Sequence, residues 1–191
     1  MANNVQNVSN AKGVAGGYVF VAPKGTTLPT DYSTALPNNT YKNLGFVSSE
    51  GIDPNEDMNV TRFTDMNGDM VYTAVSERVE TFTMTFIEVM LDVLSTLYGS
   101  ANVTESNGVI TVKHKTIELP EYVFVFELVL RDGRRWRRIL PCGQVTSREE
   151  RNLVSSELFG YQAEVTANQG ADGATVIDYI QSSATTTTTG A

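Results

Sequence analysis

Residues 122–140 constrain the fold most. Tyr122, Phe124, Phe126, Leu128 and Leu130 alternate along one face of a strand, while Val123, Val125, Glu127 and Val129 occupy the other. The second face is too apolar for open solvent, so both faces are expected to meet protein. Asp132-Gly133 follows, a dipeptide that closes tight hairpins because it tolerates the positive φ angles of a type I′ turn. Arg134–Leu140 is then the return strand. A strand buried on both sides and tied into a hairpin demands a layered β structure.

Other segments repeat the pattern. Arg78–Phe86 puts Phe82, Met84 and Phe86 on one face and Thr81, Thr83 and Thr85 on the other, making these threonines candidates for a wet face or a lumen wall. Gly17–Val21, Gly108–Val112, Glu157–Val165 and Thr175–Ile180 are further strand candidates. One helix interrupts them. Ile87, Met90, Leu91, Leu94, Leu97 and Tyr98 form a stripe at helical spacing, Glu88 suits the positive N-terminal end, and Gly99 suits the stop. The reading is a mainly β protein, a sandwich or barrel of roughly eight strands with one flanking helix.

At 191 residues the chain fits one sizeable domain. Residues 1–16 read as a flexible polar arm and residues 17–181 as the domain. Residues 182–191 read as a disordered, Thr-rich end. Between Ala22 and Tyr41 lies a long stretch punctuated by Pro23, Gly25, Pro29 and Pro37, of the length often reserved for function. No apolar run reaches about 18 residues, so no membrane anchor is expected. Met1–Ser9 lacks the basic and apolar regions of a secretory signal, which places synthesis in a cytoplasm without export by that route. Without that signal, the three Asn-X-Thr sequons at Asn38, Asn59 and Asn102 are chance matches.

The chemistry-bearing residues are few. Cys142 is the single cysteine and His114 the single histidine. These exclude an intramolecular disulfide and a cysteine-based zinc site, and leave His114 as the only base for a hydrolytic triad, with no supporting signature near it. Asp65-Met66-Asn67-Gly68-Asp69 starts like a calcium loop, but positions 6 and 12 hold Met70 and Ser76 instead of glycine and glutamate. Asp53-Pro54-Asn55-Glu56-Asp57 fails in the same way. Both stretches read as turns. No catalytic, metal or cofactor site is assigned, and the chain reads as a non-enzyme.

Charge is the informative feature. The net charge is −8. Residues 50–92 hold ten acids against two arginines, whereas residues 131–151 hold seven arginines against three acids. Arg131, Arg134, Arg135, Arg137 and Arg138 surround Trp136 on both faces of a strand, and a nucleic-acid groove would gather them on one. We expect Arg131, Arg134, Arg135, Arg137 and Arg138 to contact Glu50, Asp53, Glu56 and Asp57 of a neighbouring subunit, as heterologous self-association requires two different patches. The alternative pairs the arginines within their own chain.

Several segments together resemble the major tail tube proteins of long-tailed phages, especially those of actinobacterial hosts. They are Val21-Ala22-Pro23-Lys24-Gly25-Thr26-Thr27-Leu28-Pro29-Thr30-Asp31, Asn43-Leu44-Gly45-Phe46-Val47-Ser48-Ser49-Glu50-Gly51, Phe82-Thr83-Met84-Thr85-Phe86-Ile87-Glu88 and Leu94-Ser95-Thr96-Leu97-Tyr98-Gly99. Their order and spacing carry the resemblance over about Gly17–Gly99, with looser similarity to Thr166. The resemblance implies a β-sandwich with a flanking helix, assembled as a homo-oligomer of hexameric rings. The stacked rings form a tube around a tape-measure protein, and a tail terminator protein and transient passage of phage DNA follow from the same family. It implies a virion component assembled in the host cytoplasm, with no catalytic residues to carry over. The rival reading is a capsid-decoration or carbohydrate-binding β-sandwich module, which would display aromatic residues on loops or in a groove. The aromatics here fall mostly within alternating strands.

Overall fold

The computed structural model describes Val5, residues 8–150 and residues 153–183. Eleven strands and one helix are present among these: β1 (Ala11–Gly13), β2 (Val19–Pro23), β3 (Lys42–Asn43), β4 (Val47–Thr64), β5 (Met70–Phe86), α1 (Leu91–Tyr98), β6 (Val103–Ser106), β7 (Val109–Val112), β8 (Glu121–Leu130), β9 (Arg135–Glu150), β10 (Tyr161–Asn168) and β11 (Ile177–Ile180). Nine strands form one sheet in the order β3–β2–β8–β9–β10–β5–β4, with β1 added to β8 and β11 to β9, while β6 and β7 form a separate hairpin. The mainly β architecture with one helix matches the expectation.

The sheet curls so that one of its faces encloses a core. Phe82, Met84 and Phe86 of β5 meet Phe124 and Phe126 of β8, Leu140 and Val145 of β9, and Ala163 and Val165 of β10, with Leu94 and Leu97 of α1 closing one end. The rings of Phe82 and Phe126 lie 5.6 Å apart in a tilted pair, a geometry worth about 0.5–1.5 kcal/mol beyond the area it buries. The opposite face of β8 and β9 is also covered. Val123, Val125 and Ile139 form a second small core with Ala22 of β2 and with Leu28, Leu36 and Tyr41 from the long segment between β2 and β3. The expectation that both faces of residues 122–130 meet protein therefore holds, and the cover comes from the chain's own loop.

Several local readings need correction. Helix α1 starts at Leu91, not Ile87, because the Ile87 N–H continues the sheet by donating to the Phe46 carbonyl and the Glu88 carboxylate accepts from the Phe46 N–H at 2.9 Å. Gly99 has the positive φ expected of a stop (+82°), but its ψ of 136° lies outside the left-handed helical region. Residues 53–57 are not a turn. They belong to β4, an edge strand, the kind of strand on which a proline such as Pro54 is tolerated. His114 lies beyond the end of β7, exposed, with its ring edge 4.8 Å from Tyr98. In the segment read as a flexible arm, Ala11–Gly13 is a strand paired with Leu128–Leu130. Residues 1–4, 6–7 and 184–191 lie outside the described residues.

Candidate assembly surfaces

The arginine hairpin is built as the alternation predicts, with Arg135 and Arg137 on one face and Trp136 and Arg138 on the other. Its partners are its own chain. Arg137 is 2% exposed and Glu127, opposite it on β8, is 4% exposed. The guanidinium donates to Glu127 Oε1 (Nε 2.7 Å) and to the carbonyls of Asp31 and Thr34 (2.7 Å each), so it pins the loop between β2 and β3 onto the sheet. Arg138 makes a two-pronged bond to Asp178 of β11 (2.8 and 2.9 Å), and the Trp136 indole N–H donates to the same carboxylate at 2.7 Å. Arg134 pairs with Asp132 inside the turn, and Arg135 Nη2 approaches Glu127 Oε2 at 3.8 Å. The expectation that this cluster docks as a unit on a neighbour's acids is thus corrected: four of the five have carboxylate partners in their own chain. Desolvation explains why, since a guanidinium placed against the second core needs a carboxylate beside it. Arg131 remains exposed at the turn.

The acidic candidates all lie on β4, and Glu50, Asp53, Glu56 and Asp57 are exposed. Glu56 is ion-paired with Arg78 across the β4–β5 ladder, and Arg78 also reaches Glu80 at 3.0 Å. Asp53 takes part in a different arrangement. Cross-strand register aligns Asp53, Thr83 and Glu164 in one row and Asn55, Thr81 and Thr166 in the next. This outward face is a wall of hydroxyls, amides and carboxylates. Thr81 and Thr83 are half-buried members of it, but Thr85 is 2% exposed beneath the Gly160 segment and does not belong to the wet face.

The largest exposed feature escaped the sequence reading. Strand β9 runs away from the arginine turn, β10 returns toward it, and β5 runs antiparallel to β10, with Glu80 opposite Ala167 near the end of β10. Residues 70–79 of β5 pair only with β4 and run on past the sheet. The two-stranded ribbon from the Asp57–Val79 pair to its turn extends about 30 Å at the usual rise per residue. Met58, Val60, Phe63, Met66, Met70, Val71, Tyr72 and Val75 are exposed along it, and the Phe63 and Tyr72 rings stack at 5.8 Å. Its turn is an Asp65-to-Gly68 loop with Gly68 at φ +88° and the Asp65 carboxylate accepting from the Asn67 and Asp69 N–H groups. Asn67-Gly68 is itself a hairpin signal, followed by the β-prone run Val71-Tyr72-Thr73-Ala74-Val75.

A lone two-stranded ribbon is at best marginally stable in water, and an open edge with apolar side chains is a template for association. Among the described residues, no group of three or more His, Cys, Asp or Glu side chains is arranged to hold a metal. No described helix is long and apolar enough to cross a membrane.

No curated protein sequence matches the chain. Among solved structures, the cryo-EM structure of the anti-feeding prophage cap, a tube-terminating cap, is similar with a TM-score of 0.44 at 10% identity, covering 95% of this chain and 100% of that one. The family described as phage tail tube protein matches residues 1–191, so the chain belongs to that family and is a structural component of a phage tail.

Proposed function

We propose that the chain self-assembles through the β4–β5 ribbon into hexameric rings that stack as a tube around a tape-measure protein. A terminator protein closes the tube, and DNA leaves through it during ejection. The observation that carries this reading is the ribbon itself, which projects past its own sheet with apolar side chains exposed on both strands. Such surface is seldom left uncovered on a soluble monomer and marks an interaction site. The hydroxyl and carboxylate wall around Thr81, Thr83, Asp53 and Glu164 suits a lumen, because clustered negative charge with hydroxyls between repels a polyphosphate instead of holding it. Assembly in the host cytoplasm belongs to the same proposal.

Replacing residues 60–76 with an Asn-Gly turn joins the Asn59–Glu77 cross-strand pair and removes the ribbon's outer part. The shortened protein is expected to keep the melting temperature of the full chain and to form no rings or tubes by negative-stain microscopy and sedimentation. Tubes of normal yield from the shortened protein would refute the proposal.

A further inference from the structure

The chain has six methionines, and three of them stand on one element. Met58 is on β4, Met70 begins β5, and Met66 sits in the turn between them. Met58 is 53% exposed, Met70 is 62% exposed and Met66 is fully so. The other sulfurs among the described residues lie deeper. Met84 is sealed in the main core at 2% exposed, and Met90 packs half-buried against the same core. Cys142 is buried as well. Burial first, and then its hydrogen bond with Glu121, push its thiol above the ordinary value, which withholds the thiolate that oxidants attack. Accessible sulfur is thus concentrated on the ribbon.

We propose that Met58, Met66 and Met70 form an oxidation site: hydroperoxides convert their thioethers to sulfoxides in the free subunit, and the modified ribbon no longer joins a second copy. The consequence for assembly rests on the ribbon reading above, whereas the site itself does not. In the reaction a sulfur lone pair attacks one peroxide oxygen. The S–O bond forms as the O–O bond breaks, and a proton passes from the transferred oxygen to the departing one. Sulfur loses two electrons, the peroxide gains two, and water or an alcohol leaves. Susceptibility follows exposure, which the ribbon sulfurs have and Met84 lacks. The Thr73 hydroxyl donates to Met70 Sδ at 3.7 Å and occupies one of its lone pairs, so Met66 at the open turn is expected to react first. Each sulfoxide replaces a flexible apolar group with a polar acceptor. On the free subunit that oxygen is solvated and the fold is unaffected. Covered by a second copy it would lose its water without gaining a donor, which weakens the association. Reduction of the sulfoxides reverses the change.

The experiment treats the unassembled full chain with dilute hydrogen peroxide, maps the sulfoxides by peptide mass spectrometry and then sets the protein to assemble. Expected are gains of about 16 Da at Met58, Met66 and Met70 with Met84 unchanged. The melting temperature should stay as it was, and tubes should be lost by negative-stain microscopy. A variant carrying Met58→Leu, Met66→Leu and Met70→Leu, swaps of similar volume, is expected to assemble both before and after treatment. Enzymatic reduction of the sulfoxides in the oxidised native chain should return tube formation, and failure to do so would assign the loss to other damage and overturn the switch. Oxidation of Met84 as early as the ribbon sulfurs would overturn the site. Tubes at native yield from the oxidised chain, or loss of tubes on treating the leucine variant, would overturn its effect on assembly. A native chain that forms no tubes before treatment refutes the assembly reading instead, and the sulfoxide map still decides the site.

Discussion

Arg137 and Glu127 form an ion pair that is sealed on both sides: their nearest charged atoms are 2.6 Å apart and neither side chain is more than 5% exposed. The pair joins β8 to β9, and through the Asp31 and Thr34 carbonyls it also joins the sheet to the loop from β2 to β3. Breaking it from one side strands a buried charge. Arg137→Ala or Glu127→Ala is expected to cost about 3–5 kcal/mol, and replacing both with apolar residues of similar size is expected to restore most of that. Denaturant titration measures the cost, and limited proteolysis within residues 24–41 should report early loosening of the loop. A cost below about 1 kcal/mol for either single substitution would mean that the pair does not hold the loop.

The two faces of β5 give a second expectation. Phe82 packs in the core while Thr83 stands in the hydroxyl row between Asp53 and Glu164. Phe82→Ala should cost roughly 3–5 kcal/mol through the lost contacts and the cavity left behind. Thr83→Ala should change stability by no more than about 0.5 kcal/mol. Similar losses from the two would contradict the assignment of faces.

Acid sensitivity should trace in part to Glu121. A hydrogen bond from Lys24 comes first among the causes, followed by Cys142 and Asn168, and together they hold its carboxyl down at about 2 against an ordinary value of 4.5. Because the folded value is the lower one, the stabilisation is complete above about pH 4.5 and is lost as pH falls toward 2. Glu121→Gln should therefore be less stable than the native chain at neutral pH and should lose less stability across that window. Parallel melting curves for the two proteins between pH 5 and 2 would show that Glu121 contributes nothing to acid unfolding.

Gly99 ends α1 at φ +82°, and a β-carbon there would sit 2.3 Å from Ile117 Cδ1. Gly99→Ala meets both a disfavoured backbone and a collision. The backbone alone is expected to cost about 1–2 kcal/mol, seen as a lowered melting temperature. An unchanged melting temperature would mean that the turn relaxes without penalty.

What the sequence alone determined was local. Alternation located the faces of β5, β8 and the start of β9, since a period of two assigns each side chain to one side before any partner is known. Asp132-Gly133 located their turn but not its type: only Gly133 takes a positive φ (+87°), and Arg131-Asp132-Gly133 form a three-residue loop closed by Leu130 and Arg134, not a type I′ turn. The order of short motifs pointed to the family that matches the whole chain. Partner choice was decided by tertiary structure. Nothing in Arg137's neighbours along the chain indicates whether it faces Glu127 or another copy's acids, as its partners lie 10 and more than 100 residues away. Thr85 reads like Thr81 and Thr83, yet the Gly160 segment covers it. Residues 57–79 follow the same logic. Their sequence favours paired strands, but whether a ribbon is covered by a sheet or left bare depends on where its neighbours end, and β10 stops at Asn168, just past the residue opposite Glu80.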